Sequence, residues 1–220
     1  MEENFVPAAG FSWATRFYDL IIDLFMRGPK LRELSVNVIE KSDPGFILEA
    51  GCGTGSLTDA LATKFTNTKI VGLDIDPDIL DIARVKLAGH SGVSFRQVNL
   101  TGEGALQGAV SETVDVAVSS LVFHHLTDDG KKAALKNIAS ALQEDGELHI
   151  IDWGPPNGLM ALVGFWLVRM LDGMAVTSAN YRGELPTFME GAGFSLIAAK
   201  PMLQTSLGTV WHYSGTKAAR

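Results

Sequence analysis

Residues 47–57 read ILEAGCGTGSL: an apolar run, three glycines at alternate positions, then the start of a helix-like pattern. No other stretch constrains the fold as much. A strand that runs into such a turn and then a helix needs glycine where the backbone must bend tightly or approach a ligand, and the free N–H groups of a helix N-terminus point toward that same place. Gly51, Gly53 and Gly55 therefore fit a loop that holds a nucleotide-type cofactor; an ordinary strand-to-helix turn would read alike. Asp74 closes the next apolar run, at about the distance of the acidic residue that holds ribose hydroxyls in a dinucleotide fingerprint. The third glycine comes one residue early for that fingerprint, with Ser56 in the usual last position. The residues alone leave any adenosine-containing cofactor open.

Around this loop strand-like and helix-like segments alternate. Strand patterns fall at 46–50, 69–74, 93–98, 113–119 and 146–152, and helix patterns at 77–87 and 128–142. Such alternation predicts parallel strands with helices on both faces, an α/β doubly wound sheet. The rhythm breaks after residue 152. WGPPNG reads as a loop, 159–171 as a nearly all-apolar helix, and ELPTFMEGAGF as a short helix ending at Gly193. SLIAAKPM and GTVWHYSGTK then predict an antiparallel pair at one sheet edge, which makes seven strands, mostly parallel with an antiparallel last strand. His149 lies mid-strand, and His90 and His212 read as loop and edge residues. Upstream, 12–27 and 29–41 both carry helical spacing, with Pro29 placed for a first turn. At 220 residues the chain reads as a single domain.

ILEAGCGTG, VGLDIDPDILDIARVKL, VSFRQVNL and VDVAVSSLVFHHL resemble, in order and spacing, the successive motifs of class I S-adenosylmethionine-dependent methyltransferases. The resemblance covers 46–152, and the nearest branch in look contains the ubiquinone and menaquinone biosynthesis methyltransferases, whose YD helix RFYDLIIDLFMRG is similar to. It implies a Rossmann-like methyltransferase fold across 1–220: an N-terminal helical lid (1–45), the cofactor core (46–152), an apolar helical insertion (153–180), and a last helix with the antiparallel strand pair (181–220). It further implies S-adenosyl-L-methionine as cofactor and S-adenosyl-L-homocysteine as product. By the same resemblance Gly51, Gly53 and Gly55 line the methionine moiety and Glu49 helps order the loop. Asp74 accepts both ribose hydroxyls, a charge-assisted pair of bonds, and Ile75 packs on the adenine. Asn99 with the Leu100 backbone reads the adenine amino edge, Ser119 or Ser120 borders the methionine, and Tyr18 covers the site. Aspartate is common in the family where this chain has Asn99. Asp76, beside Pro77, reads as a helix-start residue.

Methyl transfer from a sulfonium needs mainly in-line positioning and a desolvated pocket. Where the acceptor must lose a proton, His124 and His125, just past the fourth strand, are the candidate bases; a pair capping the next helix is the plain alternative. The histidines show no metal-ligand spacing, so no metal is expected. Cys52 is the only cysteine, which excludes an intramolecular disulfide. A net charge of −7 argues against a nucleic-acid partner. The apolar stretches 13–26 and 159–171 suggest a small-molecule acceptor of lipophilic kind, a quinone precursor or a phospholipid, with Phe165 and Trp166 as the side chains to contact it. Burial, a homodimer interface or peripheral membrane contact would account for those stretches equally. No apolar run reaches the roughly 18 residues of a membrane span, and the N-terminus lacks a signal-peptide pattern, so a cytoplasmic protein, or one peripheral at the membrane, is expected. The competing functions are a nicotinamide-dependent oxidoreductase and a catalytically silent cofactor-binding partner.

Overall fold

The computed structural model describes residues 26–110 and 112–218. Helix α1 (Gly28–Asn37), with Pro29 in its first turn, precedes β1 (Phe46–Ala50). There follow α2 (Ser56–Lys64), β2 (Lys69–Asp74), α3 (Pro77–Lys86), β3 (Val93–Gln97) and β4 (Val114–Ser120). Asp76 caps α3: its side chain accepts from the amides of Asp78 (2.9 Å) and Ile79 (3.4 Å), with Pro77 in the first turn, as the sequence predicts. A 3₁₀ turn, Phe123–His125, then leads into α4 (Asp128–Ala141) and β5 (Leu142–Trp153). Thr127, not a histidine, caps α4 by accepting from the Gly130 amide at 3.1 Å.

The seven strands form one sheet in the order β3-β2-β1-β4-β5-β7-β6. All pairs from β3 to β5 are parallel, and β1 lies between β2 and β4. Every residue of β1 is buried, because both faces of the sheet are covered. Ile47 points into a layer with Leu61, Ile70 and Val116, and Leu48 into the opposite layer with Leu73, Ala117 and Ile138. The chain winds outward from β1 in both directions, so the order reverses between β1 and β4. Such a reversal opens a crevice at the carboxyl ends of the strands, where doubly wound sheets bind ligands.

Three elements close the molecule on the β5 side: α5 (Leu159–Asp172), α6 (Met174–Arg182) and α7 (Leu185–Gly191). The antiparallel pair is β6 (Phe194–Thr205) and β7 (Gly208–Lys217). β7 also pairs antiparallel with β5, so it is an interior strand and β6 is the edge. His212 is accordingly buried, in contrast to the edge position expected for it, and its ring stacks on His149 with Nδ1 and Nε2 of the two 3.1 Å apart. Helix α5 is not buried all round. Ala161, Phe165 and Val168 face the core, whereas Leu159, Met160, Val163, Trp166, Met170 and Leu171 are exposed. Phe165 is thus a core residue, its ring tilted against Trp153 (5.5 Å) and stacked on Tyr181 (6.1 Å), and only Trp166 of the expected contact pair faces outward. No helix among the described residues is long and apolar enough to cross a membrane.

Candidate functional site

The glycine loop leaves β1 at the point where the sheet order reverses. Its first two amides, Gly51 and Cys52, both donate to the Leu73 carbonyl at 2.8 Å, which ties the loop to the end of β2. The Gly53 amide donates to Asp74 Oδ2 at 2.9 Å, while Asp74 Oδ1 accepts from the Asp76 amide at 3.1 Å. One carboxylate therefore pins the loop after β1 and the turn after β2 together. Burial raises the Asp74 pKa; the Asp76, Gly53 and Ile75 amides pull it back, and the Asp76 charge adds to the rise. The three glycines, all at positive φ, serve different ends. A Cβ on Gly51 would lie 2.3 Å from a Val122 methyl, and one on Gly55 would meet Leu87 and Ala83 of the α3 segment at 2.9 and 3.2 Å. A Cβ on Gly53 would meet nothing within 4 Å, so space is open beside it.

Across the crevice β4 is followed by Leu121, a non-glycine residue at φ 57°, and then by the turn that carries the histidines. Backbone strain of this kind is held in place only by its surroundings. Here the Leu121 amide donates to the Ile151 carbonyl at 2.8 Å. Asp152, fully buried at the end of β5, fixes the next residues: Oδ2 accepts from the His124 amide (3.2 Å), and Oδ1 accepts from the Trp153 amide (2.6 Å) and His124 Nδ1 (2.7 Å). Burial opposes ionisation of Asp152, yet the His124 ring and the Trp153 amide outweigh it and hold the carboxyl below its ordinary range. His124 Nε2 faces Asp172 Oδ2, at the end of α5, at 3.7 Å. The His125 ring lies 4.0 Å from that of His124, centroid to centroid. Burial, and then the neighbouring ring, push His125 down to about 3, so its imidazole is neutral near pH 7. Beneath the turn the buried Lys131 ammonium donates to the carbonyls of Leu126 (2.5 Å) and Val176 (2.6 Å), fastening α6 to the histidine turn.

The other sequence-derived positions divide. Ile75 is half-buried directly beside Asp74 at the crevice, and Ser120 is half-buried at the end of β4. Ser119 is fully buried, and its hydroxyl donates to the Ala50 carbonyl at 2.7 Å, clamping β4 to β1. The Asn99 side-chain oxygen accepts from the Thr101 amide (3.0 Å) and hydroxyl (2.8 Å). It is therefore already taken, and the side-chain NH₂ is the group left for a ligand. Leu100 is buried, with its carbonyl accepting from Asn137 Nδ2 at 2.8 Å. Glu49 accepts from the Thr58 hydroxyl in α2 at 2.5 Å and touches the loop only indirectly. Tyr18 lies outside the described residues. Sequence reasoning missed Asp152 and Asp172. Asp152 carried a signal, an acid closing a strand at the ligand-binding edge; Asp172 carried a fainter one, an acid ending an otherwise apolar helix.

This architecture, with one antiparallel strand set into a parallel sheet and a glycine loop at the reversal point, is the Rossmann-like fold of methyltransferases. Residues 48–148, which hold the loop, Asp74 and the histidine turn, match the family described as "Methyltransferase domain". An "uncharacterized methyltransferase" of Bacillus thuringiensis (strain Al Hakam) is 31% identical over 116 residues, covering 53% of this chain and 50% of the relative. The malonyl-[acyl-carrier protein] O-methyltransferase of Paenibacillus sp. (strain JDR-2) is 28% identical over 177 residues, covering 75% of this chain and 62% of that protein. The chain thus spans about half the length of curated relatives it matches. The crystal structure of the N-methyltransferase NodS from Bradyrhizobium japonicum WM9, in complex with S-adenosyl-L-homocysteine, shares the fold at a TM-score of 0.65 and 18% identity, over 96% of this chain and 94% of NodS.

Proposed function

We propose that the protein transfers a methyl group from S-adenosyl-L-methionine to a small lipophilic acceptor, releasing S-adenosyl-L-homocysteine. The observation that carries this reading is the Asp74 carboxylate, which braces the glycine loop through Gly53 and stands at the crevice beside Ile75. In that reading Asp74 takes the ribose hydroxyls, Ile75 lies against the adenine, and the Asn99 amide with the Leu100 backbone borders the adenine edge. The open space beside Gly53, with Ser120 opposite, receives the methionine end. The sulfonium–methyl bond breaks as the acceptor–methyl bond forms, the thioether leaves neutral, and the proton that a neutral acceptor then sheds passes to solvent, so the protein's work is alignment and exclusion of water during the transfer. The acceptor enters on the side of the histidine turn and α5. The exposed apolar face of α5 supports a lipophilic acceptor of the quinone-precursor or phospholipid kind, and it would also seat the protein peripherally on a bilayer.

Calorimetric titration tests the cofactor reading. S-adenosyl-L-homocysteine is expected to bind at micromolar affinity or better, and NAD not measurably. Asp74→Ala removes a charge-assisted pair of contacts and a loop tether, and should cost about 2–4 kcal/mol of binding. Unchanged affinity in that variant would overturn the ribose assignment.

A further inference from the structure

Methyl transfer as described leaves three groups at the carboxyl end of β4 without work. His124 and His125 follow one another in the 3₁₀ turn, and Asp172 arrives from the far end of α5. One ring nitrogen or carboxylate oxygen from each lies within 4.8 Å of the other two. The 3.7 Å between His124 Nε2 and Asp172 Oδ2 is too long for a hydrogen bond. It is close to the spacing of two ligands on one ion, roughly 3.4 Å when each stands about 2.1 Å from the metal at a tetrahedral angle. Among the described residues, no hydrogen-bond donor reaches the Asp172 carboxylate, whose side chain is half-buried.

The support behind His124 has the form that metal sites use. A ligating histidine commonly gives its other ring N–H to a carboxylate, which fixes both the tautomer and the ring plane. His124 gives Nδ1–H to Asp152 at 2.7 Å, and Asp152 is itself buried and held by the His124 and Trp153 amides. This leaves the lone pair on Nε2, the nitrogen that stands 3.7 Å from Asp172 Oδ2. The turn that carries the two histidines is tied down through Leu121, and α6, which begins two residues after Asp172, through Lys131.

We propose that His124 Nε2, His125 and Asp172 bind a divalent first-row transition-metal ion, with Asp152 as the carboxylate that orients His124. Two imidazoles and one carboxylate suit such an ion; magnesium and calcium take oxygen ligands. Three protein ligands leave a coordination position open for water or for an oxygen, nitrogen or sulfur atom of a bound molecule. The site goes beyond the methyl-transfer reading and does not depend on it.

Untagged protein, stripped with a chelator and dialysed, is titrated with Zn²⁺ by calorimetry and with Co²⁺ by visible absorption. One equivalent of each ion should bind at micromolar affinity or tighter, with Co²⁺ giving d–d bands of a nitrogen–oxygen site. His125→Ala and Asp172→Ala should each weaken binding by about a hundredfold, and Asp152→Asn by about 10- to 100-fold. Asp172 lies at a helix end with part of its side chain in solvent, so its variant keeps the fold; melting curves confirm this for each protein. Absence of stoichiometric binding to the wild type would overturn the proposal, as would wild-type affinity in both His125→Ala and Asp172→Ala. S-adenosyl-L-homocysteine binding by the same stripped protein is measured alongside, so loss of the metal reading and loss of the cofactor reading are told apart.

Discussion

Glu49 is a carboxyl in the middle of the most enclosed strand. Burial, offset in part by the Thr58 hydroxyl and reinforced by the Asp74 charge, pushes it up from 4.5 to about 8. In the unfolded chain it ionises near 4.5, so between about 4.5 and about 8 the folded protein binds more protons than the unfolded one. Stability must then fall as pH rises through that window, by up to about 1.4 kcal/mol per pH unit from this group. Glu49→Gln keeps the shape and the Thr58 partner but cannot ionise. Chemical denaturation measured from pH 5 to 8 should show the decline in the wild type and a flatter profile in the variant; parallel profiles would show that Glu49 is ionised in the fold. Asp76 was legible because its work, capping α3, is done within three positions of chain. The glycines and Asp74 were legible in place, by the strand-to-helix turn and the strand end they occupy, although Asp74 and Gly53 meet across 21 positions of sequence and the neighbours of Gly51 and Gly55 lie farther still. Asn99 and Ser119 were legible in place and not in bonding, since Thr101 and the Ala50 carbonyl compete for the same polar atoms. Asp172 could not be paired with His124 by any local rule, because the helix that carries it is set by tertiary packing.

At the scale of elements, α5 separates two kinds of apolar residue that look alike in sequence. Phe165 fills a buried stack, and Gly164 beside it permits close approach to the β6–β7 turn, where an added Cβ would sit 2.3 Å from the Ser206 carbonyl oxygen. Val163, on the other face, is 64% exposed. Phe165→Glu should therefore destabilise the fold by on the order of 4 kcal/mol, through a buried unpaired carboxylate. Val163→Glu should change stability by no more than about 0.5 kcal/mol. Thermal unfolding distinguishes the two, and equal losses would mean that the outer face is also packed. β1, β2 and β4 were readable because each is a largely buried run bounded by turn residues and followed by a helix with one buried face. Helix α6 was not, for MAVTSANYR mixes β-branched and polar residues without a clear stripe; its packing on the histidine turn, held by Lys131, makes it a helix. The outward face of α5 was hidden for the opposite reason: a helix apolar all round gives no clue to which side is buried.

For the whole molecule, the decisive feature is β7 between β5 and β6. An antiparallel pair was readable from two nearby strands, but its insertion order was not, because either strand could have lain next to β5. A chain cut after Thr205 keeps six strands and loses the one that joins β6 to the rest. It should show no cooperative unfolding transition and should bind a hydrophobic dye, whereas retention of a sharp transition would mean that the parallel half folds alone.

That placement also sets a timetable for the newborn chain. β6 emerges from the ribosome before β7, yet it cannot cover β5, to which it has no hydrogen bonds of its own. Until β7 arrives, the stretch Glu147–Trp153, all seven residues of which pair with β7 in the finished protein, stands as a bare margin of amides and carbonyls. Such a margin accepts a strand from any neighbouring chain. Translation pauses between residues 153 and 208 should therefore raise the demand for chaperones, while pauses earlier in the message should not.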